Sequence, residues 1–485
     1  MADRRRYVDT KESMAYVLYD SSKTFNINEY QSRFVLDVVK INLGWSTVLG
    51  LVNGIWDVVN DSFLGALVDK TNTRWGKFRP YLMLNSTIGT ALICLYWLTP
   101  LFFDKNPNNL AKIIFWLALS MLQEVVNTVR DISETGLLGS LSPSPDDRVR
   151  LYTRAEVISA IWENIPQLVI GVLMDLVNHK VVSFAMDSIY IYMGSALALA
   201  SGVLSVVFAI FARERIAQAS ERPSYREGLR AILRNRPLLL IMVANFLDSF
   251  SATSWEHHYF IDVLGSESLR NLIMIPGAPL SFVSYGYLNK VRARFSIKPL
   301  WIFGRHIKDV MTMLIFAVGS VGGAGPGGWY RKPLPMLLLL LLRDLAYKGT
   351  LSVHKVIPKE ILLDALDYGE WQNGFRSEGV TLSTKSMLEK IVRNIVNALT
   401  NLVLRQTGYN LNADFGKQPD RVKYTLFVMA MFFPAVSGLL GVIPKLFYNL
   451  TGETRQRMYD ELAEMRGIRQ KAYNMDTQEA EVHMV

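Results

Sequence analysis

Asp57, Asn60 and Asp61 stand at i, i+3 and i+4 in the stretch G-I-W-D-V-V-N-D-S-F-L-G-A-L-V-D-K. On a helix all three leave from one face. Their neighbours are Leu51, Val52, Ile55, Trp56, Val58, Val59, Phe63 and Leu64. Two carboxylates a helical turn apart are costly in hydrocarbon, and such groups face a water-filled cavity, a bound cation or a proton. Two carboxylates and an amide carbonyl suit a hard cation such as Na+, with Asp57 and Asp61 as its direct ligands. A transition metal would want His or Cys. A polar contact between helices is the other reading of these three residues taken alone.

A second set lies further on. Glu124, Thr128 and Asp131 are spaced by four and three and share a face. Thr128 offers a hydroxyl oxygen to a cation, and Asp131 can accept from the hydroxyls of a sugar. Arg130 beside Asp131 also reads as an ion pair. Arg154 and Glu163–Asn164 are candidates for a cavity wall, and Trp162 has a face on which a pyranose can stack or which can meet lipid. Lys390 sits in an otherwise apolar run, and a lysine there needs an anionic partner or a water path. Asp57 and Asp61 are the expected partners, with Glu124 and Arg130 in the same charge network. His257–His258 makes a poor metal motif, because adjacent positions do not share a helix face and no thiols accompany them.

These residues need long apolar elements to hold them. Half of the 485 residues are hydrophobic, and charged residues make up 20%. Long apolar runs with charge gathered between them indicate a multi-pass membrane protein. Twelve spans of about 20 residues are expected. The first six are 16–39, 44–68, 81–103, 110–141, 152–177 and 189–212. The second six are 237–263, 269–288, 300–322, 334–365, 380–404 and 424–446. The segment M-A-D-R-R-R is followed by no apolar signal core, so no cleavable leader is expected. The single cysteine, Cys94, lies in an apolar run and reads as a structural thiol.

The net charge of +9 concentrates in alternate loops, which reads as positive-inside bias, not as nucleic-acid binding. Both termini are therefore expected in the cytoplasm of a cell whose inner (plasma) membrane the chain crosses. A weak repeat relates Lys70-x3-Arg74-Trp75…Arg79-Pro80 to Lys290-x3-Arg294-Phe295…Lys298-Pro299. Two six-helix halves, 1–212 and 237–447, joined by a cytoplasmic loop 213–236 and followed by a cytoplasmic tail 448–485, fit parallel repeats around a midplane site. Within the tail, 459–469 can form a short amphipathic helix on the membrane surface.

The segment D-A-L-D-Y-G-E-W-Q-N-G-F-R-S-E-G, 364–379, reads as an ordered cytoplasmic turn. Asp367, Glu370 and Arg376 in it are expected to pair with Arg74, Lys77 and Arg79 as a cytoplasmic gate between the halves. Asp309, Arg343, Asp344 and Lys348 read as interhelical salt bridges. The sequence carries no P-loop, no G-x-S-x-G and no zinc spacing, so neither an enzyme nor an ATP-driven pump is expected.

W-D-V-V-N-D-x-x-x-G at 56–65, followed by D-K-T-N-T-R-W-G-K-F-R-P at 69–80, closely resembles the signature of the glycoside–pentoside–hexuronide:cation symporters. D-Y-G-E-W-x-x-G-x-R-x-E-G at 367–379 resembles their second signature. The resemblance implies an all-α membrane protein of the major facilitator fold, with twelve transmembrane helices, that moves a sugar together with Na+, H+ or Li+. It places the cation site on Asp57, Asn60, Asp61 and Thr128, the central lysine on Lys390, and sugar-binding groups on Asp131 and Arg154. A further sugar carboxylate falls on Ser21, with Asp20 about 100° around the helix. The aromatic that packs on the sugar falls on Thr135. The cation half of the site is thus retained and the sugar half altered. Galactosides become doubtful, pentosides, glucosides and acidic sugars stay open, and Arg130 favours an anionic group.

The expected function is sugar import by symport with Na+ or H+ through alternating access, in a monomer, with no cofactor beyond the coupling ion. Cation-coupled transport of another cargo such as a lysolipid is the alternative, and a non-transporting membrane sensor is a further one.

Overall fold

The computed structural model describes residues 8–71, 73–141, 145–214, 230, 232–251, 253–374, 378–411, 413, 416–462 and 464–465; some side chains inside these helices, that of Asp61 among them, lie outside the description. Among the described residues the chain forms helices and no strand beyond one isolated bridge, Thr73 to Gly76. Twelve rods follow one another. In the first half, α1 is Thr10–Thr24 continued by Asn28–Tyr30, Gln31–Arg33 and Phe34–Val39; α2 is Leu43–Lys70. Then α3 is Arg79–Leu84 with Asn85–Gly89 and Thr90–Phe102, α4 is Leu110–Leu141, α5 is Pro145–Asn178 and α6 is Met186–Phe211. In the second half, α7 is Arg236–Asp248 with Thr253–Tyr259 and Phe260–Leu264, and α8 is Ser268–Met274 with Ala278–Arg294. They are followed by α9 (Ile297–Gly319), α10 (Pro333–Gly349 with Leu351–Asn373), α11 (Glu378–Thr407) and α12 (Asp420–Leu446).

The spans expected from the sequence all appear, with the largest differences at breaks. The first rod is interrupted after Thr24, where Asn26 turns its side-chain amide back onto the Lys23 carbonyl at 2.6 Å. The tenth rod continues eight residues beyond the expected end. Asp364 to Asn373 are helical, and the turn begins only at Gly374, whose φ of +78° favours glycine. By length and composition alone, four helices among the described residues can cross a membrane: Arg79–Phe102, Leu110–Leu138, Met186–Phe211 and Asp420–Leu446. Several of the others are broken or carry more charge.

That inward direction is visible on α2. Ile55 is 69% exposed and Leu51 is also exposed, whereas Asp57 is 7% exposed and Asn60 is buried. Val203, Phe282, Phe303 and Leu334 likewise point outward. A surface so apolar, around a polar interior, is suited to lipid.

The start of α1 and the end of α12 lie on one face. The Arg213 amide donates to Glu12 at 2.9 Å, and Lys298 donates to the Leu446 carbonyl at 2.5 Å. We call this the termini face and the other the far face. A helix at 452–462 also lies on the termini face. Met458 and Leu462 are buried in one apolar cluster with Trp301, Ile357, Ile361 and Tyr448. It starts earlier than the amphipathic stretch expected from the sequence, and it packs on protein.

Candidate functional site

The register between α2 and α4 sets the centre of the molecule. Asn53 donates to Ser120 at 2.9 Å, and the Trp56 indole donates to the Met121 carbonyl at 3.2 Å. The two helices run parallel from the far face, so the offset that pairs Asn53 with Ser120 also sets Asp57 level with Glu124 and Asp61 level with Thr128. Lys390 reaches in from α11 at that level. Its Nζ lies 2.9 Å from Asp57 Oδ1 and 3.6 Å from Glu124 Oε1. α11 can approach because residue 54 is glycine: a Cβ there would stand 2.6 Å from the Asn394 amide nitrogen. Thr128 is buried on α4. Asn60 is buried on α2 with Nδ2 making no hydrogen bond among the described residues, so an amide is available to turn toward a ligand.

A cavity of about 440 Å³ opens beside this pair, lined by Asp57, Glu124 and Asn394 at one end and by Lys23, Asn28 and Arg130 at the other, with Tyr96 and Trp97 between. A second cavity of about 230 Å³ shares Gln31, Asn53 and Tyr96 with it and runs toward Asn397 and Asn401. Amides, charges and two aromatic faces make a lining suited to many hydroxyl groups.

The four residues expected to hold the cargo are not among the described lining of that cavity. Asp131 is held by Arg130 Nε and Nη2 at 2.9 and 2.8 Å, with 64% of its side chain exposed, so the ion-pair reading describes the pair and Arg130 is the member that reaches the cavity. Asp20 accepts from Ser159 at 2.8 Å and pairs with Lys23 at 2.8 Å, behind the wall. Lys23, which the sequence analysis did not single out, faces the cavity, and Glu134 holds it at 2.6 Å. Trp162 is exposed and meets Phe25 edge-on, with centroids 6.3 Å apart, and Arg154 is exposed.

The far face carries a network that the sequence reading did not find. Arg33 on α1 bonds Asp262 on α7 at 2.5 Å and the Tyr409 hydroxyl at 2.9 Å. Tyr30 donates to Glu267 at 3.0 Å, and Arg270 pairs with Glu29 at 3.2 Å. Asp175 on α5 accepts from the amides of Glu267 and Ser268 at 2.8 and 2.9 Å. His257 is wholly buried between Glu267 and Glu29, at 2.6 and 3.4 Å, so it serves this seam. Every one of these bonds except the His257–Glu267 contact joins the first half to the second.

Of the expected gate residues, Arg74 and Arg79 have described partners within the first half, and Lys77 has one just after it. Arg74 stacks on Trp75 with 5.0 Å to the ring centre, and Arg79 donates to the carbonyls of Ala209 and Ile210 at 2.9 and 2.7 Å. The amides of Lys77 and Phe78 donate to Glu214, both at 2.9 Å. Asp367 and Glu370 are buried on α10, next to the contacts of Asp364 with Arg455 at 2.7 Å and of Trp371 with Glu461 at 2.7 Å. Arg376 lies outside the described residues. Among the other charged positions, Asp309 pairs with His306 at 2.8 Å and Arg343 with Glu256 at 3.0 Å.

Residues 14–452 match the family model described as MFS/sugar transport protein. An isoprimeverose transporter of Lactiplantibacillus pentosus is 25% identical over 459 residues, covering 92% of this chain and 90% of its own. A glucuronide carrier protein homolog of Escherichia coli (strain K12) is 23% identical, covering 90% and 91%. In structure, a bacterial homolog of the human lysosomal transporter Spinster superposes with a TM-score of 0.56 at 12% identity, over 92% of this chain and 97% of that one, which establishes the major facilitator fold. With the signatures at 56–80 and 367–379, a match over nearly the whole chain and twelve rods around a polar centre, the chain belongs to the MFS/sugar transport protein family, among the glycoside–pentoside–hexuronide:cation symporters.

Proposed function

We propose that this protein carries a sugar across the inner membrane by symport with a monovalent cation, Na+ or H+, as a monomer with both termini in the cytoplasm. The observation that carries the reading is the sharing of one lysine by Asp57 and Glu124 beside a cavity lined by amides. In the ion-free state Lys390 neutralises Asp57, and an isolated buried carboxylate would cost several kcal/mol. A cation entering between Asp57 and Asp61, with Asn60 and Thr128 supplying neutral oxygens, takes over that neutralisation. The sugar lies in the cavity, its hydroxyls on Asn28, Gln31, Asn53 and Asn394 and its apolar face against Tyr96 or Trp97. Asp131 and Arg154 are reached in another conformation of the halves. The polar lining argues against a lysolipid, whose acyl chain needs an apolar trough.

A cation that raises sugar affinity is bound more tightly by the same factor when the sugar is present. The relatives named for isoprimeverose and glucuronides support a glycoside or uronide as cargo. The test is sugar uptake into proteoliposomes with and without an imposed Na+ or pH gradient, for the parent and for Asp57→Asn. Gradient-driven accumulation in the parent and its loss in the variant are expected. Accumulation undiminished in Asp57→Asn would refute the coupling.

A further inference from the structure

Lys390 stands between two carboxylates on neighbouring helices, hydrogen-bonded to Asp57 at 2.9 Å and a fraction of an ångström too far from Glu124, at 3.6 Å. Asp57 is nearly closed off, whereas the Lys390 and Glu124 side chains are 24% and 32% exposed, and Glu124 lines the cavity. A cation that binds Asp57 must displace an ammonium that is inside the molecule. An ammonium expelled without a partner would cost more than the cation gains. The register of α2 on α4 supplies the partner at the same level.

We infer that Glu124 is the receiving carboxylate for Lys390: when the coupling ion occupies Asp57, the lysine shifts onto Glu124, and this exchange makes ion binding affordable. Glu124 is then a positioning residue that acts through Lys390 and touches neither ion nor sugar. The inference rests on the cation-coupled reading above.

The roles separate in a double-mutant cycle on the purified full-length protein. The readout is the half-saturating NaCl concentration for thermal stabilisation, with choline chloride keeping ionic strength constant; LiCl and acid replace NaCl if the parent responds to those. Glu124→Gln is expected to raise the half-saturating concentration about tenfold, equal to about 1.4 kcal/mol. Removing Glu124 harms the ion-bound state more than the ion-free state, where Asp57 is the closer partner. In a Lys390→Gln background there is no lysine to receive, so adding Glu124→Gln is expected to change the value by less than about twofold. Glu124→Asp, which keeps the carboxylate, falls between parent and Glu124→Gln and guards against a folding artefact. A tenfold effect that persists without Lys390 would make Glu124 a direct ion ligand and overturn the inference, as would an unchanged value in Glu124→Gln. A parent that responds to Na+, Li+ and acid not at all would overturn the coupled reading itself.

Discussion

Arg33 and Asp262, 229 residues apart in the chain, form a buried ion pair across the two halves at the far face. Asp37 and the Tyr409 hydroxyl lie 2.9 Å each from the same guanidinium, and His258 Nδ1 lies at 2.7 Å. Removing one member of such a pair strands the other, at a cost of about 3–5 kcal/mol, whereas removing both costs less. Arg33→Gln and Asp262→Asn are each expected to lower the melting temperature markedly, and the double variant to melt above at least one single variant. Strictly additive losses in a detergent melt would show that the two charges do not depend on each other.

Asp175 supports the same seam by accepting from two backbone amides at the start of α8, and it bonds the hydroxyls of Ser266 and Ser268 as well. Asp175→Ala removes all of these acceptors and leaves amides of the second half without partners. A loss of about 1–3 kcal/mol is expected, together with faster hydrogen exchange confined to 264–271. Unchanged exchange there would count against a role for Asp175 in holding the halves together.

Gly54 sets how near α11 can come. A Cβ would collide with the Asn394 amide at 2.6 Å and crowd its Cγ at 3.1 Å, so Gly54→Val is expected to push α11 away from α2 and lengthen the Lys390–Asp57 contact. Transport falls while expression and membrane insertion persist. A Gly54→Val variant that transports at the parent rate would show that this close approach is dispensable.

The tail helix offers a pH test outside the membrane-spanning rods. Tyr459 donates to the buried Asp364 at 2.5 Å, and burial, then the Asp364 hydrogen bond and charge, push its phenol up to about 12. A raised phenol pKa means that the folded state holds its proton more tightly than the unfolded state. This contribution is intact below about pH 10 and is lost as pH rises from there toward 12. Melting temperature is expected to fall over that window more steeply for the parent than for Tyr459→Phe. Equal slopes would remove Tyr459 from the account.

The central cluster was legible because its signal is local. Polar residues at helical spacing inside an apolar run mark one face of one helix, and a lone lysine in another run advertises the need for a partner. The spans were legible for the same reason. The far-face network was not. Glu29, Arg33 and Asp262 each look like defects in an apolar span, and only the fold pairs Arg33 with Asp262 and Glu29 with Arg270, more than two hundred residues away. Lys23 was hidden likewise: its neutralising groups, Asp20 and Glu134, come from the same helix and from α4, and local spacing reports only the first. The turn expected at 364–379 misled because Gly369 and clustered charges resemble a loop, yet the carboxylates there find Arg455 and the tail, and the helix persists.

The close approach at Gly54 gives the two halves a shared line of contact at mid-depth, while the polar bonds described between their outer ends lie to one side of it. Bodies joined in this way tilt more readily than they slide, because sliding would break the seam along its whole length at once. In the transport cycle proposed above, the glycine would therefore serve as a fulcrum, with widening at one mouth of the molecule narrowing the other.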